Sequence, residues 1–222
     1  MLYDFHTHTV LSDGGLTAVE LIRRAKVNEY AALALTDHVA RGSLARSIAE
    51  LKLDRALIET RWEIRVLVGV ELTHVPPAAV ADLAAEARSY GAEVVVVHGE
   101  SPVEPVEPGT NRAAVSCPAV DILAHPGLLT EAEAELAAAN GVFLELSARG
   151  GHNIANGRVV RLGRQAGARF LVNSDTHAPG DLLTPERART VALGAGLGEE
   201  ELHACLVEGP RALLARAAER SS

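Results

Sequence analysis

Six histidines, His6, His8, His38, His98, His125 and His177, and three acids, Asp13, Glu71 and Asp175, fall beside short apolar runs in this 222-residue chain. Imidazole nitrogens and carboxylate oxygens are ligands that zinc, manganese and iron all accept. Repeated at the ends of successive strands, they bring distant parts of the chain to one point, which is the layout of a metal centre.

Taken singly, these signals are weak. His6-Thr7-His8 is an HxH, and in an extended chain residues two apart project from the same side. An isolated pair of this kind fits a surface or a core equally well. Asp13 lies in Ser12-Asp13-Gly14-Gly15, the residue types of an ordinary turn. Glu71 interrupts the apolar run Val70-Glu71-Leu72, where an unpaired buried carboxylate is costly and calls for a nearby cation. Thr36-Asp37-His38, Val97-His98-Gly99, Ala124-His125-Pro126-Gly127 and Ser174-Asp175-Thr176-His177 repeat the placement. Recurrence at the same end of consecutive strands is what carries the metal reading.

Seven strands are expected, at Leu2 to Phe5, Ala31 to Thr36, Val66 to Thr73, Glu93 to Val97, Val120 to Ala124, Val142 to Leu146 and Phe170 to Asn173. Helical segments lie between them. Thr17-x-x-Glu20 and Thr130-x-x-Glu133 read as capping boxes, and Thr184-Pro185 puts a proline in a first helical turn. Gly91, Gly141 and Gly167 each precede a strand, as helix-ending glycines do. Such alternation builds either an open sheet or a closed barrel. In an open sheet of seven strands the outer two would stand roughly 25 to 30 Å apart, too far for His6 and Asp175 to share an ion. A barrel brings every strand's C-terminal end to one mouth. The expected fold is therefore α/β: a distorted (β/α)7 barrel with the metal site at the C-terminal ends of its strands, one domain over residues 1–222.

The net charge of −8 and the lack of any Lys or Arg run argue against a nucleic-acid groove. Cys117 and Cys205 stand in apolar contexts and read as buried free thiols, which suits a reducing compartment. No segment has the length and apolarity of a membrane span, and the start, MLYDFHTH, carries no basic or long apolar stretch. A cytoplasmic protein is expected.

The motifs HxH at His6, SDG at Ser12, TDH at Thr36, the acid Glu71, the histidines His98 and His125, and the DxH from Asp175 to His177 occur in the order of the polymerase and histidinol phosphatase (PHP) domain superfamily. The chain resembles that superfamily over essentially its whole length. It is most similar to small histidinol-phosphatase-like members, through His98-Gly99-Glu100, Val106 to Asn111 and Ser147 to Asn153. The resemblance implies a metal-dependent phosphatase with two to three divalent ions of zinc, manganese or iron. His6, His8, Glu71 and Asp175 would hold one; Asp13, His38 and His177 a second; Glu71, His98 and His125 a third.

A metal-bridging hydroxide attacking the phosphorus of a small-molecule phosphate monoester is the expected chemistry, since no reactive thiol, serine elbow or phosphate-cradling loop competes. Catalytic roles are expected of Asp37 and His177, with Asp37 orienting His38 or His8. Glu145 is open between a supporting acid and a core salt bridge. Arg149 is the first choice of phosphate anchor, because its fork matches phosphate oxygens. His152, in the same loop, is expected to bind phosphate or protonate a leaving group. Arg41 and Arg187 are the alternatives to Arg149. The loop with Glu100, Thr110 and Asn111 is expected to cover the site.

Three rivals remain in view. A phosphodiesterase or exonuclease of the same fold is disfavoured by the acidic charge. An amidohydrolase would need an eighth strand and a metal-bridging lysine, while Lys26 and Lys52, the only lysines, sit in helical stretches. The third is a non-catalytic, metal-stabilised accessory domain.

Overall fold

The computed structural model describes residues 1–221. Its strands are β1 (Leu2–Asp4), β2 (Tyr30–Leu35), β3 (His38–Val39), β4 (Arg65–Leu72), β5 (Val94–His98), β6 (Ile122–Ala124), β7 (Phe143–Ser147) and β8 (Phe170–Asn173). All pairings are parallel, and the path β1-β2-β4-β5-β6-β7-β8 gives the seven expected strands in order, with β3 a two-residue strip on β4. That strip is a departure from a single second strand. The Asp37 carboxylate turns away to the loop after β1, so the chain kinks there and His38 resumes opposite Glu71.

The ring is nearly closed. Between β1 and β8 there is no continuous ladder, but Asp175 N donates to His6 O at 3.0 Å and His8 N to Thr176 O at 2.9 Å. Lower down, side chains bridge the gap: Phe5 N donates to Asn173 Oδ1 at 2.9 Å and Ser174 N to Asp4 Oδ1 at 3.1 Å. The seam is thus stitched where the metal-type residues lie.

Helices α1 (Ala18–Val27), α2 (Arg41–Ile58), α3 (Val80–Ser89), α4 (Thr110–Val115), α5 (Glu131–Asn140), α6 (Asn156–Ala166), α7 (Pro185–Gly194), α8 (Glu199–His203) and α9 (Gly209–Ser221) surround the ring. Thr130 and Glu133 form the full box on α5, and Thr184 caps α7 ahead of Pro185. Thr17 accepts from Glu20 N, but the Glu20 carboxylate pairs with Arg24 at 2.8 Å, so that box is half made. A charged partner one turn on wins over a backbone N–H. Gly91, Gly141 and Gly167 end their helices with φ of +86°, +67° and +74°. Among the described residues no helix is long and apolar enough to cross a membrane, and both cysteines are buried free thiols.

Strand alternation divides the core in two. Leu33, Leu35, Val95, Val97, Leu144 and Leu146 face the helices, while Ala32, Ala34, Leu67, Val94, Val96, Ile122, Phe143 and Leu171 fill the barrel with Leu213 and Ala217 of α9. Following the inward rows upward by twos gives Glu71 above Leu67, His98 above Val96, Glu145 above Phe143 and Asn173 above Leu171. The barrel is apolar below and polar at its mouth. At its base Glu93 and Asp121 accept from Val68 N and Val95 N and are ringed by Arg55, Arg65, Arg88, Arg216 and Arg220.

Candidate metal centre

Four compact groupings of ligand atoms meet at the mouth, each with its atoms within 4.8 Å of one another. They are His8, Asp13, His38 and His177; His6, Glu71 and His125; His6, His8 and Asp175; and His125, His152 and Asp175. Glu71 lies between them. Its Oε1 is 3.3 Å from His6 Nε2 and 3.6 Å from His125 Nε2, and its Oε2 is 2.6 Å from His38 Nδ1 and 3.7 Å from His8 Nε2. His8 Nε2 is 3.2 Å from Asp175 Oδ1, and Asp13 Oδ1 is 3.2 Å from His177 Nε2 and 3.5 Å from His38 Nε2.

The spacings suit ions. Two atoms each about 2.1 Å from one tetrahedral ion lie about 3.4 Å apart. Most of these contacts cluster near that value and beyond good hydrogen-bond length. The Nε2 atoms of His6, His8 and His98 and both oxygens of Glu71 are buried without a hydrogen-bond partner. Uncompensated buried polar atoms are costly, and divalent cations would satisfy all of them at once. The residues present therefore fit the group.

The backbone is held to the task. His125 and Asp175 have φ of +26° and +54°, an unfavourable region for residues with a side chain, and such strain gathers at functional sites. Gly14 allows the loop bearing Asp13 to fold back onto the segment after β1, since a Cβ there would come within 2.4 Å of His8 O.

Electrostatics follow from the crowding. Burial opposes charge on Glu71, yet His6 and His38 hold its carboxyl well below the usual range. Burial raises Asp175 to about 8, with the Glu71 and Glu145 charges adding to it. Burial drives His8 and His125 well below an ordinary imidazole, with neighbouring histidines reinforcing it. Neutral imidazoles are the form that binds metal.

The Asp37 side chain makes no hydrogen bond to His38 or His8, which corrects the expected orienting role. It accepts from Thr9 N at 2.8 Å, Thr9 Oγ1 at 2.9 Å and Ser12 Oγ at 2.7 Å, and so builds the loop that carries Asp13. The orienting acid is Glu145 instead: its Oε2 lies 2.8 Å from His6 Nδ1 and accepts from Asn173 Nδ2 at 3.0 Å. His38 Nδ1 is 2.7 Å from Thr73 Oγ1.

Arg149 reaches the site: its Nη1 lies 2.6 Å from His177 Nδ1 and donates to Asp175 O at 3.1 Å. Arg41 pairs with Glu86, and Arg187 donates to the carbonyls of Gly180, Asp181 and Ala148. His152 is buried beside His125. Glu100 and Asn111 are used in holding the loop in place, Glu100 Oε1 accepting from Gly109 N and Asn111 N and Asn111 Nδ2 donating to Pro126 O. The acid of that loop which faces the site is Glu104, with His74 near it at 3.6 Å. Burial and His98 together shape this corner: His152 is depressed to about 4, while the His98 ring 3.5 Å away holds the Glu104 carboxyl at about 2. Reading the sequence missed both Glu104 and His74. Inward alternation from Phe143 could have settled Glu145, whereas nothing in the Pro-rich loop marked Glu104.

The sequence profile of the PHP domain matches residues 4–149. The chain is 47% identical over 217 residues to an uncharacterized protein of Methanocaldococcus jannaschii, covering 97% of this chain and all of that one. It is 28% identical to ribonuclease P protein component 3 of Methanosarcina barkeri, over 96% of this chain and 89% of the relative. Among solved structures, histidinol phosphate phosphatase of Lactococcus lactis superposes with a TM-score of 0.61 at 13% identity, covering 89% of this chain and 94% of that one. That likeness is one of fold. With the profile match spanning most of the barrel and the metal-type residues in place, the chain belongs to the PHP domain family of metal-dependent phosphoesterases.

Proposed function

We propose that the protein hydrolyses a small-molecule phosphate monoester, with two to three ions of zinc, manganese or iron held by His6, His8, Asp13, His38, Glu71, His98, His125, Asp175 and His177. Such ions supply a hydroxide nucleophile near neutral pH and offset charge on the phosphoryl oxygens. The observation that carries the reading is the position of Arg149. A His177 ring whose Nε2 serves an ion must keep its proton on Nδ1, donated to Asp175 O at 2.9 Å. Arg149 Nη1 then meets a donor with a donor, and its guanidinium turns to an incoming phosphate, which it can grip with two N–H groups.

The rim also favours a small ester over a polynucleotide. The mouth also carries the acids Asp13 and Glu104, beside His177 and His98, and Arg41 and Arg187 are engaged elsewhere. A strand of phosphates would meet no basic track. Neither lysine competes as a metal ligand: Lys26 lies on α1, and Lys52 donates to Tyr90 O.

A second reading has one observation behind it, the likeness to ribonuclease P protein component 3 over nearly the whole chain. It would make RNA the substrate or the partner. Phosphate release from a library of small monoesters, run beside 5′-phosphorylated oligoribonucleotides with each metal in turn, separates the two. Release from at least one small monoester, lost on chelation and in Glu71→Ala, is expected. Hydrolysis confined to the oligoribonucleotides would transfer the site to the second reading, and inactivity of the metal-loaded protein on every substrate would overturn both.

A further inference from the structure

Glu104 extends from the Pro-rich loop 101–109 into the metal centre. Its Oε2 lies 3.5 Å from His98 Nε2 and 3.7 Å from His152 Nε2, and its Oε1 lies 3.6 Å from His74 Nε2. These separations are long for hydrogen bonds and close to the roughly 3.4 Å between two ligands of one tetrahedral ion. His98 Nδ1 is 3.0 Å from Gly99 O, which can only accept, so the ring keeps its proton there. Its Nε2 lone pair, buried and without a hydrogen-bond partner, therefore faces a carboxylate. A cation between them, a metal ion or a proton on Nε2, satisfies both.

His98 is also ringed by the imidazoles of His38, His74 and His152, with centroids 6.0, 5.7 and 6.2 Å away. The compact groupings of ligand atoms do not include it, and beside it stand His125, with ring centroids 4.4 Å apart, and Glu104. With Glu71 and His125, His98 would give a tetrahedral ion three protein ligands and leave one position open. The loop is built to deliver a fourth ligand. Glu100 N donates to Asn111 Oδ1, Asn111 Nδ2 donates to Pro126 O, and Glu100 Oε1 ties Gly109 N and Asn111 N together at the base. Pro102, Pro105 and Pro108 restrict the backbone between. Val103 lies against Gly151, where an added Cβ would come within 3.1 Å of its Cγ1.

We propose that Glu104 is a metal ligand carried by this loop, completing the shell of the ion that His98 and His125 hold and fastening the loop over the site when that ion binds. The proposal rests on the metal centre of the preceding reading and not on the identity of its substrate.

The test is zinc titration of the wild-type protein, Glu104→Gln and Glu104→Ala against a competing chelator, with bound metal counted. One ion should be held at least about tenfold more weakly in both variants and the others unchanged, since even groups that only support a ligand are worth about 10- to 100-fold. Amide hydrogen exchange in residues 101–109 should slow on adding zinc to the wild type and not to the variants. Glu107→Gln, which alters an exposed acid of the same loop, should match the wild type. Equal affinities for every ion in wild type and variants would overturn the proposal, as would equal weakening of all ions. Failure of the phosphatase reading would appear separately, as absence of phosphate release from the loaded wild type.

Discussion

Glu145→Gln tests the inner support of the metal centre. Glu145 is fully buried. Its carboxylate serves three donors: His6 Nδ1 at 2.8 Å, Asn173 Nδ2 at 3.0 Å and His125 N at 3.3 Å. A glutamine keeps the shape but accepts at one oxygen only. If that oxygen stays with His6 and Asn173, its NH2 is turned on His125 N, leaving buried donors face to face at about 1 to 3 kcal/mol. The carboxylate also makes His6 a better ligand by drawing on its Nδ1 proton, and losing such support lowers metal affinity by about 10- to 100-fold, or about 1.4 to 2.7 kcal/mol. A second signature concerns protons. Burial disfavours charge on His6, but Glu145, followed by Glu71 and Asp175, raises it well above an ordinary imidazole, so zinc must displace a proton there. The variant should bind zinc 10- to 100-fold more weakly and release fewer protons per zinc at neutral pH, measured by calorimetry in buffers of different ionisation enthalpy. Zinc affinity and proton release both unchanged in a folded variant would refute the reasoning.

Arg149→Ala should leave metal content intact and lower kcat/KM by about 10- to 150-fold, from roughly 1.5 to 3 kcal/mol for a charged hydrogen bond, with weaker inhibition by free phosphate; unchanged kinetics would make it a bystander. Asp4 is raised by burial from 3.8 to about 7, so the folded state keeps a proton that the unfolded chain has released. Stability of the metal-free protein should therefore fall as pH rises from about 4 to about 7, by as much as about 4 kcal/mol from this group. Urea denaturation across that range should show a flatter profile for Asp4→Asn, and coincident profiles would count against it. Chelation should speed exchange of the His8 and Asp175 amides, which cross the β1–β8 seam, ahead of those in β4 and β5; uniform exchange would contradict a metal-tied seam.

The barrel and the positions of its metal-type residues were legible because both are written in alternation. Each strand places inward residues two apart, and polar side chains appear where the inward rows of β4 and β5 reach the mouth. Asp37 was misjudged because adjacency in sequence to His38 says nothing of direction, and the kink before β3 sends its carboxylate toward Thr9 and Ser12. Glu20 misled for a similar reason, since a capping pattern leaves open a competing arginine one turn later. Glu100 and Glu104 lie four residues apart in one irregular loop, where no periodicity tells which acid binds the backbone and which faces the histidines.

The seam also has a consequence in time. Asp4 and Ser174, which meet across it, are 170 residues apart in sequence. At about 5 to 20 residues per second a ribosome needs roughly 10 to 35 s to travel that distance. During that interval His6 and His8 are in the growing chain without Asp175 or His177. Tight metal capture thus belongs to a late stage of biogenesis, and early contact with zinc would offer the nascent chain only partial, exchangeable ligand sets.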